Sequence, residues 1–382
     1  MEKIIATVVI WGNDNYNVLG LLRQLTPVIE EVIFLVNKNN MQCATISKYC
    51  KKYVIAQTIE KGIEYLKELG KTLNCKGFVI TTNDVLAECV DQNYGVLSHY
   101  YHLTGTKEQG ILTKMQGKIE MSYLAKQLGF DIPRSYELSS KTNIENFVFP
   151  LLVKPNQQTV KNRKPFKFRV FNTRDELRLF QKGMLDNDIY IAQQVIKKEE
   201  EYLMYGCRLA DGNVVLPGAI IKQRWHYGRV TPEIPSTINI KLMKLFLERI
   251  DYYGLFSFEY GLMDGKAYFF EVNLRNDGTS LYYYLSGVNL PLLWITSYFN
   301  KQITLTQKVD RENVFIDGFG DLANVLTGEL SLCQWRKDVK NSDIYRYYDS
   351  NDWKPFFIMA CKTIPRIVVK SFFNRMKNKE KR

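Results

Sequence analysis

The sequence predicts an α/β amino-terminal part with a doubly wound parallel sheet, followed by an α+β part with antiparallel and mixed sheets. Two observations support this division. Over the first 100 residues, β-branched apolar runs alternate with segments of helical periodicity, which is the βαβ rhythm of a parallel sheet. Further along, apolar and aromatic runs follow each other around Asp211-Gly212 and Asp264-Gly265, which is the signal of antiparallel hairpins.

In the first part, strands and helices are predicted in alternation. The strands are expected at 4–11, 32–36, 53–56 and 78–82, and the helices at 18–25, 59–73 and 83–97. The loop 12–17 follows the first strand, where a dinucleotide-binding fold carries its phosphate loop, but it lacks the GxGxxG spacing. A dinucleotide site is therefore not predicted. Residues 98–117, with three glycines, are expected to form a linker.

The second part opens with a predicted helix over 118–128 that ends at Gly129. Its remaining predicted elements before the last hairpin are strands at 149–155, 189–196, 201–207 and 214–221, with a helix at 175–185. The first of these strands delivers Lys154 to a turn. This order indicates an α+β arrangement around mixed sheets.

The hairpin around Asp264-Gly265 carries the strongest functional signal. Glu271, Asn273 and Arg275 stand at alternate positions after an apolar run, so they are expected on one face of a strand. Carboxylate and carboxamide oxygens are ligands that Mg²⁺ accepts. An arginine two residues further on can stabilise charge on a transferring phosphoryl group.

The loop length of this hairpin decides which face Glu259 occupies. A two-residue loop, Asp264-Gly265, would pair residue 259 with residue 270 and put Glu259 on the other face from Glu271. A three-residue loop, 263–265 with Gly265 left-handed, pairs 259 with 269 and puts all the acids on one face. The three-residue loop is preferred because it builds a metal site of two carboxylates and one carboxamide. The alternative is an edge-strand pair of solvated glutamates.

Composition and charge bound the class of protein. At 382 residues the chain is long enough for two or three domains. Seven scattered cysteines without a CxxC pair favour reduced thiols in a cytoplasmic protein. No apolar run has the length of a transmembrane helix, and no signal-peptide pattern is found. The net charge of +12 comes without a nucleic-acid motif, so small acidic molecules, phosphates or an anionic membrane are the expected partners.

The basic end of the sequence is predicted to be a helix with one apolar side. Residues 362–382 carry eight Lys or Arg against Glu380. Apolar residues recur at i+4 spacing among them, at Ile364, Val368, Phe372 and Met376. Such a helix suits peripheral contact with the inner face of a membrane. The alternative is a helix packed on the core with a frayed basic end.

Further motifs precede the hairpin in a fixed order. They are Gly12 to Leu25, Lys118 followed by Gly129 and Pro133, Leu151-Leu152-Val153-Lys154-Pro155, and Gln193-Gln194-Val195-Ile196. Together with the hairpin they resemble the ATP-grasp superfamily, and within it the carboxylate–amine ligases, including D-aspartate ligase-like enzymes. The resemblance covers about residues 1–300. It implies a pre-ATP-grasp domain followed by a two-lobed ATP-grasp fold.

The resemblance implies a role for each motif. Lys118 and Lys154 would hold the ATP phosphates, Gln193, Gln194, Val195 and Ile196 would read adenine, and Glu201 would bind ribose. Glu259, Glu271 and Asn273 would hold Mg²⁺, with Mn²⁺ as an alternative ion, and Arg275 would meet the phosphate or acyl phosphate. Elementary electrostatics agrees, because lysines on two separate segments can clamp a triphosphate from opposite sides.

The segment after Lys154 departs from the resemblance. The family has a glycine-rich loop over the triphosphate there, whereas residues 156–164 contain no glycine and three cations. Either basic side chains replace backbone amides in this lid, or the protein binds ATP without turnover. Gln194 stands where an acid is common, and Gly117 stands where an acidic residue commonly precedes the first lysine.

A cluster of cations and aromatics at 222–229 lies between the adenine motif and the hairpin. We predict that Arg224 neutralises the acyl phosphate or the tetrahedral oxyanion and that Lys222 contacts the γ-phosphate. The alternative is a solvated basic loop. His99 and His102 have HxxH spacing but no third ligand nearby, so they are interpreted as structural or surface residues.

The expected function is amide formation from a carboxylate and an amine by way of an acyl phosphate. Four units are expected: a pre-ATP-grasp domain at 1–110, a small lobe and lid at 111–197, a metal and substrate lobe at 198–305, and an extension with the basic tail at 306–382. Resemblance to D-aspartate ligases suggests an amino acid substrate and a peptidoglycan or capsule precursor as acceptor. Other ATP-grasp chemistry, kinase or carboxylase, and a non-catalytic nucleotide-binding protein remain alternatives.

Overall fold

The computed structural model describes residues 3–37, 43–156, 166–299 and 304–379, with side chains described as far as Val369. Within these ranges the chain forms a five-stranded parallel sheet, a four-stranded sheet and a nine-stranded sheet, flanked by helices. The predicted fold class, a parallel α/β part followed by antiparallel and mixed sheets, is confirmed.

The amino-terminal part is the predicted doubly wound sheet. Its elements are β1 (Ile4–Gly12), α1 (Tyr16–Leu25), β2 (Ile29–Asn37), β3 (Lys52–Ala56), α2 (Ile59–Thr72), β4 (Gly77–Thr81), α3 (Asp84–Gln92), α4 (Tyr94–Leu97) and β5 (Tyr101–Leu103). The strands pair in parallel in the order β3-β2-β1-β4-β5. The side chains of Asn15, Thr58 and Asn83 cap the three longer helices by accepting backbone N–H bonds, as polar N-cap residues do.

Two local predictions in this part are wrong. The helix predicted over 83–97 is divided at Asn93 into α3 and α4. The predicted linker at 98–117 contains β5, then β6 (Gly105–Thr106) and α5 (Ile111–Met115). In β5 only Tyr101 and Leu103 turn into the core, so three residues give too short an alternation to be read as a strand from sequence.

The next part builds the smaller antiparallel sheet. Helix α6 (Lys118–Leu128) ends at Gly129, which has the left-handed φ of 94° that favours glycine at a helix end. The elements that follow are β7 (Ser135–Leu138), β8 (Leu151–Pro155), β9 (Arg169–Phe171), α7 (Arg174–Lys182) and β10 (Tyr190–Gln194). Their order in the sheet is β7-β10-β8-β9.

The large sheet holds the predicted metal hairpin. Its part of the chain comprises β11 (Glu200–Arg208), β12 (Val214–Val215), β13 (Ala219–Arg224), β14 (Tyr227–Thr231), α8 (Ile240–Arg249), β15 (Tyr252–Met263), β16 (Lys266–Asn273), α9 (Ser280–Leu285) and α10 (Leu290–Thr296). The last part adds β17 (Asn313–Ile316), α11 (Gly318–Thr327), α12 (Leu332–Asn341), β18 (Ile344–Tyr345) and α13 (Lys354–Lys379). The path of the sheet is β16-β15-β11-β13-β14-β17-β18, with β12 on β11 and β6 on β15.

Strand pairing therefore crosses the predicted unit boundaries. β6 pairs with β15, and β17 extends the large sheet beside β14. The division at residues 110, 197 and 305 stays a prediction. The extension is bound to the rest of the protein as continuous sheet rather than as a loosely attached tail.

Asn276 joins the parallel sheet to the β15–β16 hairpin, which carries the predicted metal ligands. Its backbone N–H donates to the carbonyl of Thr81 (3.2 Å), and its side-chain amide donates to Asn17 Oδ1 (2.5 Å). The Asn17 amide donates in turn to the carbonyls of Thr82 and Asn276 (both 3.2 Å). This network places the carboxyl ends of the first sheet's strands beside the hairpin. Ligands bind at that edge of a parallel sheet.

Candidate active site

The two carboxylates of the hairpin face each other, although the loop prediction is wrong. Met263 pairs with Lys266, so the loop is the two-residue Asp264-Gly265, and both of its residues have positive φ (51° and 71°). That geometry is the primed turn that two-residue hairpins favour. A register shift follows: residue 260 pairs with 269, but Glu259 pairs with Glu271.

The register shift makes Phe270 an extra residue in β16, which is a β-bulge. Its ring lies over Gly261, where a side chain on residue 261 would collide with it. Because one inserted residue reverses the face of everything beyond it, the bulge returns Glu271 to the face of Glu259. The predicted arrangement of the acids is thus reached by a bulge rather than by a longer loop.

The pair of acids concentrates negative charge that nearby cations offset only in part. Burial first, and then the Glu271 carboxylate, raise the pKa of Glu259 to about 7, while Lys222 lowers it only in part. In the described ranges, no group of three or more His, Cys, Asp or Glu side chains is arranged to hold a metal ion. Two facing, partly buried carboxylates that repel each other would suit one divalent cation, with Asn273 and phosphate oxygens as its other ligands.

Asn273 and Arg275 continue the line from these acids. The Asn273 amide donates to Glu259 Oε1 (3.3 Å), and Arg275 Nη2 donates to Asn273 Oδ1 (3.2 Å). Arg275 Nε donates to Asp84 Oδ1 at 2.6 Å. Burial alone would lower the pKa of Arg275, but Asp84 and then Asp277 raise it above its ordinary value, so the guanidinium stays charged at the acid pair.

The two predicted phosphate lysines come together through Asn156. The backbone N–H of Lys118, at the start of α6, donates to the Asn156 carbonyl (3.2 Å), and the next N–H donates to Asn156 Oδ1 (2.9 Å). Asn156 follows Lys154 by two residues at the end of β8. Burial is the largest effect on Lys154 and lowers its pKa. The Glu271 carboxylate raises this pKa and the Lys118 ammonium lowers it. Because both groups act on Lys154, the three side chains lie in one electrostatic neighbourhood.

The predicted adenine segment lies where β10 ends. Gln193 is buried and donates to Ser135 Oγ (3.1 Å), and the backbone N–H of Gln194 donates to the Arg134 carbonyl (2.8 Å). Val195 and Ile196 follow the strand, and the N–H of Val195 donates to the Pro150 carbonyl (3.2 Å).

Two backbone groups of the same segment are left without a hydrogen bond to the described residues. The Ile196 carbonyl accepts from the N–H of Lys198 (3.0 Å). The carbonyl of Val195 and the N–H of Ile196 make no hydrogen bond with another residue in the described ranges. These two groups are the acceptor and donor that an adenine edge would require.

Glu201 and Lys222 form an ion pair with each other. Lys222 Nζ donates to Glu201 Oε1 at 2.7 Å, and Lys198 donates to the other carboxylate oxygen. Burial by itself would raise the pKa of Glu201, but Lys222 and Lys198 hold it below its ordinary value. For Lys222, burial lowers the pKa and Glu259 and Glu201 more than offset it. Lys222 therefore lies between Glu201, the predicted ribose ligand, and Glu259, a predicted metal ligand.

Arg224 is directed away from the acids, towards the extension. Its Nε donates to both carboxylate oxygens of Asp321 (3.2 and 3.0 Å), and its Nη2 donates to Asp321 Oδ2 (2.5 Å) and Asp338 Oδ2 (2.6 Å). Both aspartates are buried, on α11 and α12. The structure thus does not bring Arg224 to the acid pair, and its contacts are those of a structural tie between β13 and the extension.

One cleft collects five of the thirteen predicted site residues. Its walls include Lys118, Glu259, Glu271, Asn273 and Arg275, together with Asp84, Asp277 and Lys167. Asp84 and Asp277 were not predicted as site residues. Asp84 had a signal, because it follows a strand of the parallel sheet at the ligand-binding edge. Asp277 had none that a single sequence shows.

The predicted lid lies mostly outside the described residues. Of 156–164, only Asn156 is described, and the structure continues at residue 166. Beyond this gap Lys167 lines the cleft and lies with its Nζ 4.6 Å from the centre of the Trp225 ring. His102 packs against Tyr298, with ring centres 3.9 Å apart, and burial lowers its pKa to about 4, as for a structural residue.

The chain is similar to known proteins in sequence and in fold. No protein-family model matches the chain. The D-aspartate ligase of Enterococcus faecium (strain Aus0004) is 21% identical over 318 residues, which cover 74% of each protein. The solved N5-carboxyaminoimidazole synthetase of Staphylococcus aureus, complexed with ADP, superposes with a TM-score of 0.64 at 10% identity, covering 88% of both chains. The L-amino acid ligase of Bacillus licheniformis gives a TM-score of 0.60 at 16% identity, covering 80% of this chain and 78% of that one.

In the part of the chain that the structure describes, no helix is long and apolar enough to cross a membrane.

Proposed function

We propose that this chain, which belongs to the ATP-grasp superfamily, is an ADP-forming carboxylate–amine ligase. One observation carries the proposal: Glu259 and Glu271 face each other in a cleft that also presents Lys118 and Arg275, with Lys154 in the same electrostatic neighbourhood. This is the charge pattern that a triphosphate with a divalent cation requires, because cations meet the phosphates and carboxylates meet the metal.

The proposed reaction has two steps. The γ-phosphoryl group of ATP passes to the substrate carboxylate, which gives ADP and an acyl phosphate. An amine then attacks the acyl carbon, and the phosphate leaves as the C–N bond forms and the amine loses a proton. Lys118 and Lys154 hold phosphates, and Arg275 stabilises the transferring charge. Mg²⁺ or Mn²⁺ on Glu259, Glu271 and Asn273 would supply charge neutralisation between phosphate oxygens.

The substrates follow from similarity rather than from the cleft. Similarity to a D-aspartate ligase supports an amino acid as carboxylate substrate. We propose a peptidoglycan or capsule precursor as the amine acceptor. An enzyme of this kind would work in the cytoplasm, where ATP is available, and near the inner face of the membrane, where lipid-linked precursors are exposed. All seven cysteines are unpaired, which is consistent with a reducing compartment.

Mg²⁺-dependent ATP consumption, with the nucleotide product identified, tests this function. The purified chain is assayed against pairs of amino acids and amines, with Glu271→Ala as the control. ADP and phosphate released only with an acid–amine pair, together with an amide of the summed mass less water, support the ligase. ADP release without a new amide contradicts it.

A second chemistry is favoured by the solved structures. The neighbours that bind ADP include N5-carboxyaminoimidazole synthetases. A carboxylase would activate bicarbonate in the same cleft, so ATP consumption would depend on bicarbonate and an amine and would need no amino acid carboxylate. The glycine-free lid keeps a non-catalytic binding protein as a third candidate, for which Glu271→Ala would leave cellular function intact.

A further inference from the structure

The final helix, α13, is fixed at its start and carries apolar side chains on the side that faces away from the protein. Just before the helix, the buried Asp352 accepts from Arg23 Nε (3.1 Å), Ser47 Oγ (2.7 Å) and the N–H of Lys48 (2.9 Å). These bonds attach the start of α13 to the amino-terminal part. The direction of the helix is therefore set by the folded body of the protein.

The inner side of α13 already has its partners. Pro355 is buried and Met359 is 2% exposed. The Phe356 ring stacks on Phe319 of α11 with ring centres 5.3 Å apart. The first half of the helix is thus packed on the extension, as the alternative of a helix packed on the core expects. Beyond residue 363 this packing ends, because residues 364–366 and 368–369 are all exposed.

The outer side carries a second apolar stripe. Trp353, Phe357, Ile364 and Val368 are 54%, 57%, 38% and 50% exposed. At 100° per residue these four positions fall within an arc of about 60°, on the side of the helix away from Met359. The Trp353 and Phe357 rings contact each other at 6.1 Å between centres. We call these four residues, of which Trp353 directly precedes the helix, the outer face of α13.

Charge identifies what covers the outer face. The sequence 354–379 contains seven basic residues and no acidic one: Lys354, Lys362, Arg366, Lys370, Arg375, Lys377 and Lys379. Lys362 and Arg366 lie on the side of the helix opposite the outer face. A helix with large apolar groups on one side and cations on the other is the pattern of interfacial membrane helices. A second copy of α13 would place like charges together, whereas anionic phospholipids complement them.

We propose that the outer face of α13 docks the protein on an anionic membrane surface, with Trp353 and Phe357 inserted among the lipid head groups. The inference rests on the proposed location at the membrane but not on the proposed chemistry. It combines the two interpretations of the basic end: the first half of the helix packs inward, and the same helix carries an exposed apolar face outward.

Cosedimentation of the full chain with vesicles tests the proposal. Binding is expected to phosphatidylcholine vesicles that contain phosphatidylglycerol, is expected to fall in high salt, and is expected to be absent with phosphatidylcholine alone. F357S combined with V368S should abolish binding, while L179S, at a 74% exposed position on α7, should not change it. K362Q combined with R366Q should weaken binding severalfold, and by less than the roughly thirtyfold contribution of two cations at such a surface, because both side chains lie on the far side of the helix from the lipid. Removing two cations from α2 with K61Q and K71Q is the matched control.

Fluorescence gives a readout at one residue. Brominated lipids should quench part of the tryptophan emission of the wild type, and W353F should remove that part while keeping the affinity. Absence of binding to both vesicle types, or equal binding by F357S/V368S, overturns the proposal. A doubled mass in light scattering without lipid, lost in F357S/V368S, would also overturn it by making the face an interface between copies. ATP consumption with soluble substrates, measured on the same samples, separates failure of the docking surface from failure of the ligase.

Discussion

Two hairpins of the large sheet carry the charged residues that the sequence singles out, and they differ in how that charge is balanced. In β15–β16, Glu259 and Glu271 face each other in a buried cleft, and the proton affinity of Glu259 is raised. In β13–β14, Arg224 is bound by two aspartates and Lys222 by Glu201. Both hairpins have a register irregularity beside these residues, so the irregularity does not distinguish them.

The difference shows which charges are kept for a ligand. Arg275 is also paired, with Asp84, but both residues line the cleft, whereas the partners of Arg224 lie on α11 and α12. Breaking the buried pairs of Arg224 to reach a substrate would leave Asp321 and Asp338 without their counter-charge, which is costly. Two buried like charges gain by binding an ion that neutralises them. We therefore expect β15–β16 to control chemistry and β13–β14 to control the attachment of the extension.

Glu271→Gln is the strongest test of the first half of this comparison. The substitution keeps the size of the side chain but removes a charge from the proposed metal site. ATP consumption should fall at least about a thousandfold, because the ion contributes several kcal/mol to phosphoryl transfer. Glu248→Gln, on the exposed side of α8, is the matched control and should keep the wild-type rate. Full activity in Glu271→Gln would show that the acid pair holds no essential metal.

The same substitution at the two arginines compares the two hairpins directly. Arg275→Lys and Arg224→Lys each exchange the guanidinium for an ammonium, which keeps the charge but loses the two-pronged donor. Arg275→Lys should lower kcat about a hundredfold, since a donor to the transferring group is displaced. Arg224→Lys should leave kcat within about twofold.

Steady-state kinetics on both variants gives the answer. Because Arg275 is held by Asp84 at 2.6 Å, Asp84→Asn should lower kcat in the same direction as Arg275→Lys with little change in the KM for ATP. The reverse order, with Arg224→Lys the more damaging for kcat, would return the oxyanion role to Arg224.

The contrast between the hairpins also marks what sequence can predict. Glu271, Asn273 and Arg275 were found because they stand at alternate positions after one apolar run, and Glu259 because the Asp264-Gly265 turn pairs its strand with that run. The bulge at Phe270 was missed because it depends on which neighbour accommodates an extra residue, here the bare Gly261. The local pattern gave the face correctly and the loop incorrectly.

The counter-charges are set by distant parts of the chain. Asp321 and Asp338 lie 97 and 114 residues after Arg224, and Asp84 lies 191 residues before Arg275. Periodicity within a segment contains no information about such pairs. The βαβ rhythm still predicted the parallel sheet, because each of those elements is buried through its own periodic face. A three-residue strand such as β5 has too few inward positions to be seen in the same way.

Arg224→Gln should act on stability rather than on chemistry. It would leave Asp321 and Asp338 buried with one fewer counter-charge, and a broken buried pair costs several kcal/mol. Arg224 is 27% exposed, so solvent screens part of this, and a loss of about 2 kcal/mol in the free energy of unfolding is expected. Urea unfolding measures it, with Arg178→Gln at an exposed ion pair as the control. Unchanged stability would mean that the tie to the extension is dispensable.

The last expected effect is a pH dependence of the stability that comes from β15–β16. Burial and Glu271 raise the pKa of Glu259 to about 7, whereas in the unfolded chain it is near the ordinary value of 4.5. Between these values the folded protein binds a proton that the unfolded chain has released, so the free energy of unfolding should fall as the pH rises from 4.5 to about 7. Glu259→Gln should remove this part of the slope in the absence of divalent metal.

Mg²⁺ binds the deprotonated pair, so it should stabilise the wild type more at about pH 8 than at about pH 5 and leave Glu259→Gln little changed. Urea midpoints at both pH values, with EDTA or Mg²⁺, give the comparison, and equal slopes for the two proteins in EDTA would show that the pKa of Glu259 is not raised in the folded state.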